Sequence, residues 1–379
     1  MLLQPDRDQE SFRDTTGRFL DRHVPAGEVR RLRDDPAGFD LAYWRQGAEL
    51  GWTSLLVDEA HGGGSISDRG LVDLTLVADA FGRRAAPGPL IPANLVAHAL
   101  SAAGHDTTGG VLDDLLSGAG VATWALSERQ PGAAMGSPSL QVWSDGAEVV
   151  LRGEKRPVES ADRADHLLVT GRTDDGLTQV LVPRDSAGVS VAPMRTVDLT
   201  RRFSVVTFDD VRVPASAVVG ALGQARAQVE QQARIAIVLA CAESVGAMQA
   251  GFDLTVAWAF DRYSLGRPLA SYQALKHRFA DMLSWLEASH AVSDEAAVAV
   301  ADGSSDAPEL ASAAKAYVGL HGTELLQDCV QLHGGIGVTF EHDLHLYLRR
   351  HTLNRVLYGS PREHHQRLTD LLEAREAAA

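Results

Sequence analysis

Lysine is nearly missing from this chain. Of 35 basic residues only Lys155, Lys276 and Lys315 are lysines, and arginine supplies the rest. Cysteine is as scarce: Cys241 and Cys329 are the only two, both in apolar, helical-looking stretches. That excludes a disulfide scaffold and a cysteine-rich zinc site, and reads as core packing in a reducing compartment. Positive charge is in deficit, 35 Lys and Arg against 50 Asp and Glu, for a net charge of -15. A broad nucleic-acid or anionic-membrane surface is therefore not expected, because neutralising phosphates needs clustered cations. The start, MLLQPDRDQESF, lacks a basic region followed by an apolar run, and no stretch reads as a membrane span. The expectation is a soluble cytoplasmic protein.

What is present is enough apolar residue for two or three domains: 379 residues, 45% hydrophobic. Up to about residue 117 apolar residues recur at three- and four-residue spacing, as in FDLAYWRQGAELGW and LVDLTLVADAFGRRAA, with a glycine-rich loop, DEAHGGGSISD, between them. From Gly118 the texture changes to short alternating runs such as LQVWSD, AEVVLRG, DHLLVTGR, LTQVLVPR and FSVVTFDDVRV. Asp145-Gly146 and Asp175-Gly176 sit between runs as hairpin signals. After the Gly220–Gly223 loop the helical pattern returns, and Ala233–Phe260 is apolar on nearly every face, the mark of a helix buried in a bundle. The expected class is α+β: a helical domain over 1–117, an antiparallel β domain over 118–222 and a helical bundle over 223–379.

Three stretches in this order resemble the acyl-CoA dehydrogenase family, and with the domain order the resemblance covers the whole chain. They are DRYSLGRPLASYQALKHRFADM (261–282), QLHGGIGVTFEHDLHLYLRR (331–350), and LRGEKRPVESADRADHLLVTGR with FSVVTFDDVRVP. The resemblance implies FAD held between subunits. Arg262 and Ser264 would lie near the pyrophosphate of the adjacent subunit's cofactor, with Gln273 nearby; Gln331, Gly334 and Gly335 would approach its adenosine side. Leu126 and Ser127, in WALSE, would contact the isoalloxazine ring. The chain departs from the family in the following loop, ERQPGAAMGSPS, and at Pro157 and Glu159, where many relatives have an aromatic residue and a threonine against the flavin.

Family chemistry removes a proton from Cα of an acyl-CoA and a hydride from Cβ, which needs a positioned carboxylate and hydrogen bonds to the thioester oxygen. In many members the base is a glutamate in an aromatic-Glu-Gly turn; here the turn reads VLYGSP and Tyr358 stands in its place. Tyrosine, with an ordinary pKa near 10, is a poor base at neutral pH but a competent donor. A second subset carries its glutamate ten residues before the glycine matching Gly246, where this chain has Ala236. The one carboxylate on the apolar part of that helix is Glu243, on a stripe with Ala236, Ala240, Ala247 and Ala250. Its AE-x-x-G setting resembles divergent actinobacterial dehydrogenases of steroid and polyketide pathways, which often work as two-chain assemblies. Two readings stand: a general base whose pKa is raised by burial, or a carboxylate tied to an arginine or backbone group.

The HGGG of residues 61–64 has no Gly-x-Ser-x-Gly elbow to accompany it, and His342, His345 and His351 read as surface and interface residues rather than metal ligands. His364, His365 and Glu363 are reserve candidates beside the Tyr358 turn. The expected function is an FAD-dependent acyl-CoA (or acyl-carrier-protein) dehydrogenase forming an α,β-unsaturated thioester, with Glu243 as base, Tyr358 lining the pocket and electrons passing to an electron-transferring flavoprotein. The alternatives are a non-catalytic partner subunit in a mixed assembly and a flavin monooxygenase or oxidase of the same fold. An oligomer is expected, with itself or with a homologous chain.

Overall fold

The computed structural model describes residues 4–104, 110–129 and 138–378. The loop ERQPGAAMGSPS lies for the most part outside these residues. The N-terminal part contains α1 (Arg7–His23), α2 (Ala26–Arg31), α3 (Leu41–Glu49), α4 (Gly70–Arg84), α5 (Leu90–Ala102) and α6 (Val111–Leu116). Helix α1 starts on a capping box: Asp6 accepts from the N–H groups of Asp8 and Gln9, and the Gln9 side chain accepts from Asp6 N–H. The core here is aromatic, with Trp52 edge-on to Phe19, Tyr43 and Phe81. The glycine-rich loop is explained by packing. A Cβ on Gly63 would lie 2.0 Å from the Val57 carbonyl and one on Gly70 1.7 Å from that of Leu55. Buried Asp73 fixes the loop's far end by accepting from Ile66 N–H, Ser67 N–H and the Ser67 hydroxyl.

The middle part is a sheet of β1 (Ala122–Ala125), β2 (Gln141–Asp145), β3 (Glu148–Glu159), β4 (His166–Thr173), β5 (Gly176–Pro183), β6 (Val189–Met194), β7 (Phe203–Pro214) and β8 (Val218–Val219). The order is β6-β7-β3-β2-β4-β5-β8, with β1 on β4. Both Asp-Gly steps fall in tight hairpins, joining β2 to β3 and β4 to β5. The sheet is not wholly antiparallel: β1 runs parallel to β4, and β2 meets β4 at one parallel pair. A parallel pair needs a long connection, and the chain between β1 and β4 supplies one through the β2–β3 hairpin.

The C-terminal part comprises α7 (Arg226–Asp261), a small hairpin of β9 (Tyr263–Ser264) and β10 (Arg267–Pro268), α8 (Gln273–Ala301), α9 (Ala307–His333), α10 (Leu344–Val356) and α11 (Pro361–Ala378). By length and composition α7 is apolar enough to cross a membrane, contrary to the sequence reading, yet most of its apolar window is buried in the protein. It crosses α4 at backbone contact: a Cβ on Gly82 would lie 1.9 Å from the Glu243 carbonyl, and one on Gly246 2.1 Å from that of Asp79. This crossing sets the Glu243 side chain beside the C-terminal end of α4.

Two buried histidines flank the turn after α10. Burial pushes His351, beside Thr323, down to about 3, and His364, whose ring donates to the Tyr358 carbonyl, down to about 4. Both native values lie below the unfolded value of about 6.5, so the unfolded chain binds more protons between these limits. Their contribution is complete above about pH 6.5 and is lost as pH falls through about 4 for His364 and about 3 for His351. Urea unfolding should therefore show a lower midpoint at pH 4.5 than at pH 7, with uptake of about two protons on unfolding; an unchanged midpoint would contradict the assignment.

Candidate functional site

The predicted cofactor residues of the C-terminal part lie on an outer face. Arg262 ends α7, exposed, its guanidinium 5.9 Å from the centre of the Trp258 ring and without an ion-pair partner among the described residues. Ser264 stands exposed in the following hairpin, where Leu265 is 93% exposed. Gln273 opens α8 and contacts His277 at 3.2 Å. Gln331 is in the last turn of α9, and its carbonyl accepts from Gly334 N–H. Gly334 has φ +66°, and added Cβ atoms on Gly334 or Gly335 would meet only open space. Exposed Arg262 and the open backbone at Gly334–Gly335 have a chemistry that fits a dinucleotide phosphate. Leu126 and Ser127 lie elsewhere, at the end of β1. The Leu126 carbonyl accepts from Lys155 Nζ at 3.0 Å and the Ser127 carbonyl from Arg156 N–H at 2.8 Å. Lys155 also pairs with Glu128 at 2.8 Å, which accepts in turn from Ser139 and Leu140; burial pushes this lysine down to about 8.

Glu243 lies in the interior, and Tyr358 stands half-buried after α10. One Glu243 oxygen accepts from Arg350 Nη1 at 2.6 Å, and the other from Arg201 Nη1 at 3.0 Å and Asn354 Nδ2 at 2.7 Å. Arg201 precedes β7, whose Phe203 is paired with Glu159 on β3, so the arginine lies alongside Glu159 and forms a two-pronged pair with it. Arg350 donates to Asp198 at 2.5 Å, to the carbonyls of Ala85 and Ala86 just past α4, and to the Thr200 hydroxyl. Arg201 and Arg350 are at most 3% exposed at the side chain, and their carboxylate partners at most 6%. Asn354 completes the arrangement: its Oδ1 accepts from Arg201 and its carbonyl from Lys315 Nζ.

The electrostatics follow from this packing. Burial pushes the Glu159 carboxyl up, opposed by Arg201; burial also acts against ionising Asp198, but Arg350 beside it holds that carboxyl below the usual range. Burial, then the Glu159 charge, raise the half-buried Tyr358 hydroxyl well above its ordinary value, so it is a donor and not a base. Tyr358 itself has φ +60°, a left-handed conformation that a bulky residue rarely takes, and Gly359 follows at φ +110°. Three carboxylates face two guanidiniums, and buried Lys315, pushed down to about 8 by burial, contributes the remaining cation close by. Arg201, Asp198, Arg350 and Asn354 were not singled out from sequence. The available signal was the i, i+4 spacing of Arg350 and Asn354, which puts both on one face of α10.

Removing one member of such a network strands buried charge. Arg350→Met should destabilise the chain by about 3–5 kcal/mol in chemical denaturation, with Arg350→Lys also destabilising because it cannot reproduce the fork. A loss below about 1 kcal/mol would show that the network is not built as described.

Comparison with known proteins agrees with this architecture. The acyl-CoA dehydrogenase N-terminal, middle and C-terminal domain families match residues 6–118, 123–211 and 219–367. The chain is 30% identical over 371 residues to acyl-CoA dehydrogenase IpdE2 of Mycobacterium tuberculosis, covering 97% of this chain and 98% of the relative. Among solved structures it is similar to a variant of the Tcur3481–Tcur3483 steroid ACAD, with 27% identity, a TM-score of 0.88, and coverage of 98% and 99% of the two chains. It shares the fold of the ChsE4–ChsE5 complex from Mycobacterium tuberculosis at 23% identity and a TM-score of 0.86, over 98% of this chain and 99% of that one. The chain belongs to the acyl-CoA dehydrogenase family.

Proposed function

We propose that the chain is a subunit of an FAD-dependent acyl-CoA dehydrogenase, working with a homologous chain to form an α,β-unsaturated thioester. The observation that carries this reading is the state of Glu243: both carboxylate oxygens are engaged by Arg201, Arg350 and Asn354, so it has neither the freedom nor the open face of a general base. With Tyr358 protonated, this chain offers no base at either position that the family uses, and the Cα proton is taken by a group of the partner. A flavin held there would supply the hydride acceptor for Cβ. This chain contributes from its outer face: Arg262 and Ser264 hold the pyrophosphate, Gln273 supports them, and Gln331, Gly334 and Gly335 receive the adenosine side. A bulky, steroid-type acyl-CoA is the proposed substrate, supported by the likeness to a steroid ACAD. An electron-transferring flavoprotein is the proposed acceptor.

The visible spectrum tests this directly. The chain purified alone should be colourless and inactive, and co-expression with a homologous dehydrogenase chain should yield a yellow, active assembly. In that assembly Arg262→Ala should weaken FAD retention at least about tenfold, the scale of a lost charge-assisted contact. An isolated chain that is yellow and bleaches anaerobically with an acyl-CoA would overturn the reading.

A further inference from the structure

We propose that the Glu159–Arg201–Glu243–Arg350 network is a permanent internal occupant of this chain's own reaction pocket, closing it to a flavin ring and to an acyl thioester. The inference deepens the subunit reading and rests on it for the pocket's identity, but it is measured on the isolated chain and needs neither a partner nor turnover. Two positions from distant parts of the chain converge on one guanidinium, that of Arg201: Glu159 at the end of β3 and Glu243 in the middle of α7; a third, Tyr358, follows α10. These positions answer, in the family resemblance, to the flavin-facing threonine, the helix that carries the alternative base, and the C-terminal glutamate. In place of an open cleft between them lie Arg201 and Arg350, both buried.

The closure is stiff because it spans separate elements. Arg350 alone joins the loop before β7, the end of α4, and α7. A ligand entering here must part a two-pronged carboxylate–guanidinium pair and leave at least one buried charge without its partner, an uncompensated loss that an apolar ring or acyl chain cannot repay. The carbonyls of Leu126 and Ser127, near the expected ring position, are likewise taken by Lys155 and Arg156. The residues here do not fit an isoalloxazine, whereas those of the outer face fit the other end of the cofactor. One chain thus carries a closed ring site and an open phosphate face, and only the second is of use to a neighbour.

The experiment removes the occupant without leaving a lone charge on Arg201. Full-length chain carrying Glu159→Thr, Arg201→Met and Glu243→Ala is titrated with FAD alongside wild type, reading quenching of flavin fluorescence and the flavin absorbance retained after gel filtration. Wild type should retain flavin only at background, and the variant, once circular dichroism shows it folded, should retain at least about tenfold that background. Equal quenching by wild type and variant overturns the proposal, and so does a folded variant that stays as empty as wild type. Should the triple variant not fold, Glu159→Thr with Arg201→Met keeps the Glu243 bonds to Arg350 and Asn354 and is read in the same way. Failure of the subunit reading would show separately, as absence of a yellow assembly on co-expression.

Discussion

The guanidinium of Arg350 is the contact on which the rest of the structure depends. Its donors reach Asp198, Glu243, Thr200 and the two carbonyls that follow α4. All three parts of the fold meet there. A buried arginine is tolerated only when its charge and its fork of donors are matched, and the close α4–α7 crossing at Gly82 and Gly246 makes that match possible by setting Glu243 opposite the end of α4. Arg201 extends the network to Glu159, so the sheet is tied to the bundle by charge as well as by apolar packing.

This interior explains why two sets of family positions in one chain look so different. Inside, Glu159, Arg201, Glu243 and Arg350 are bonded to one another. Outside, Arg262 has no ion-pair partner among the described residues, the β9–β10 hairpin is exposed, and the Gly334–Gly335 turn has room beside it. The exposed apolar side chains near this face, Phe260, Tyr263, Leu265 and Val338, belong to the same outward-looking surface and suit contact with another chain. The proposed division of labour between homologous subunits accounts for both halves.

Much of the fold was legible in the sequence. Helical periodicity, the two Asp-Gly hairpins and the apolar length of α7 located the helical and β regions, because these signals are local. The parallel β1–β4 pairing was not, since no local pattern records which distant strand a short run will join. Arg262, Gln331 and the glycines stood out because they sit within continuous motifs, and the structure exposes all of them. Glu243 was recognisable as a buried carboxylate requiring a partner, but Arg201 and Arg350 lie 42 and 107 residues away from it. Spacing along one helix cannot say which arginine will arrive from another, and that left its two readings open. The departure at Glu159 was visible; that it answers the same arginine as Glu243 became apparent only in three dimensions.

The central claim is that Glu243 is a structural carboxylate and not a base, and turnover per bound flavin in the assembled enzyme tests it most directly. With Glu243→Gln in this chain alone, the account predicts a rate per flavin within about twofold of wild type, even if stability falls, because no proton passes through that carboxylate. A loss of about a hundredfold or more with flavin still bound, the scale of a missing general base, would contradict it.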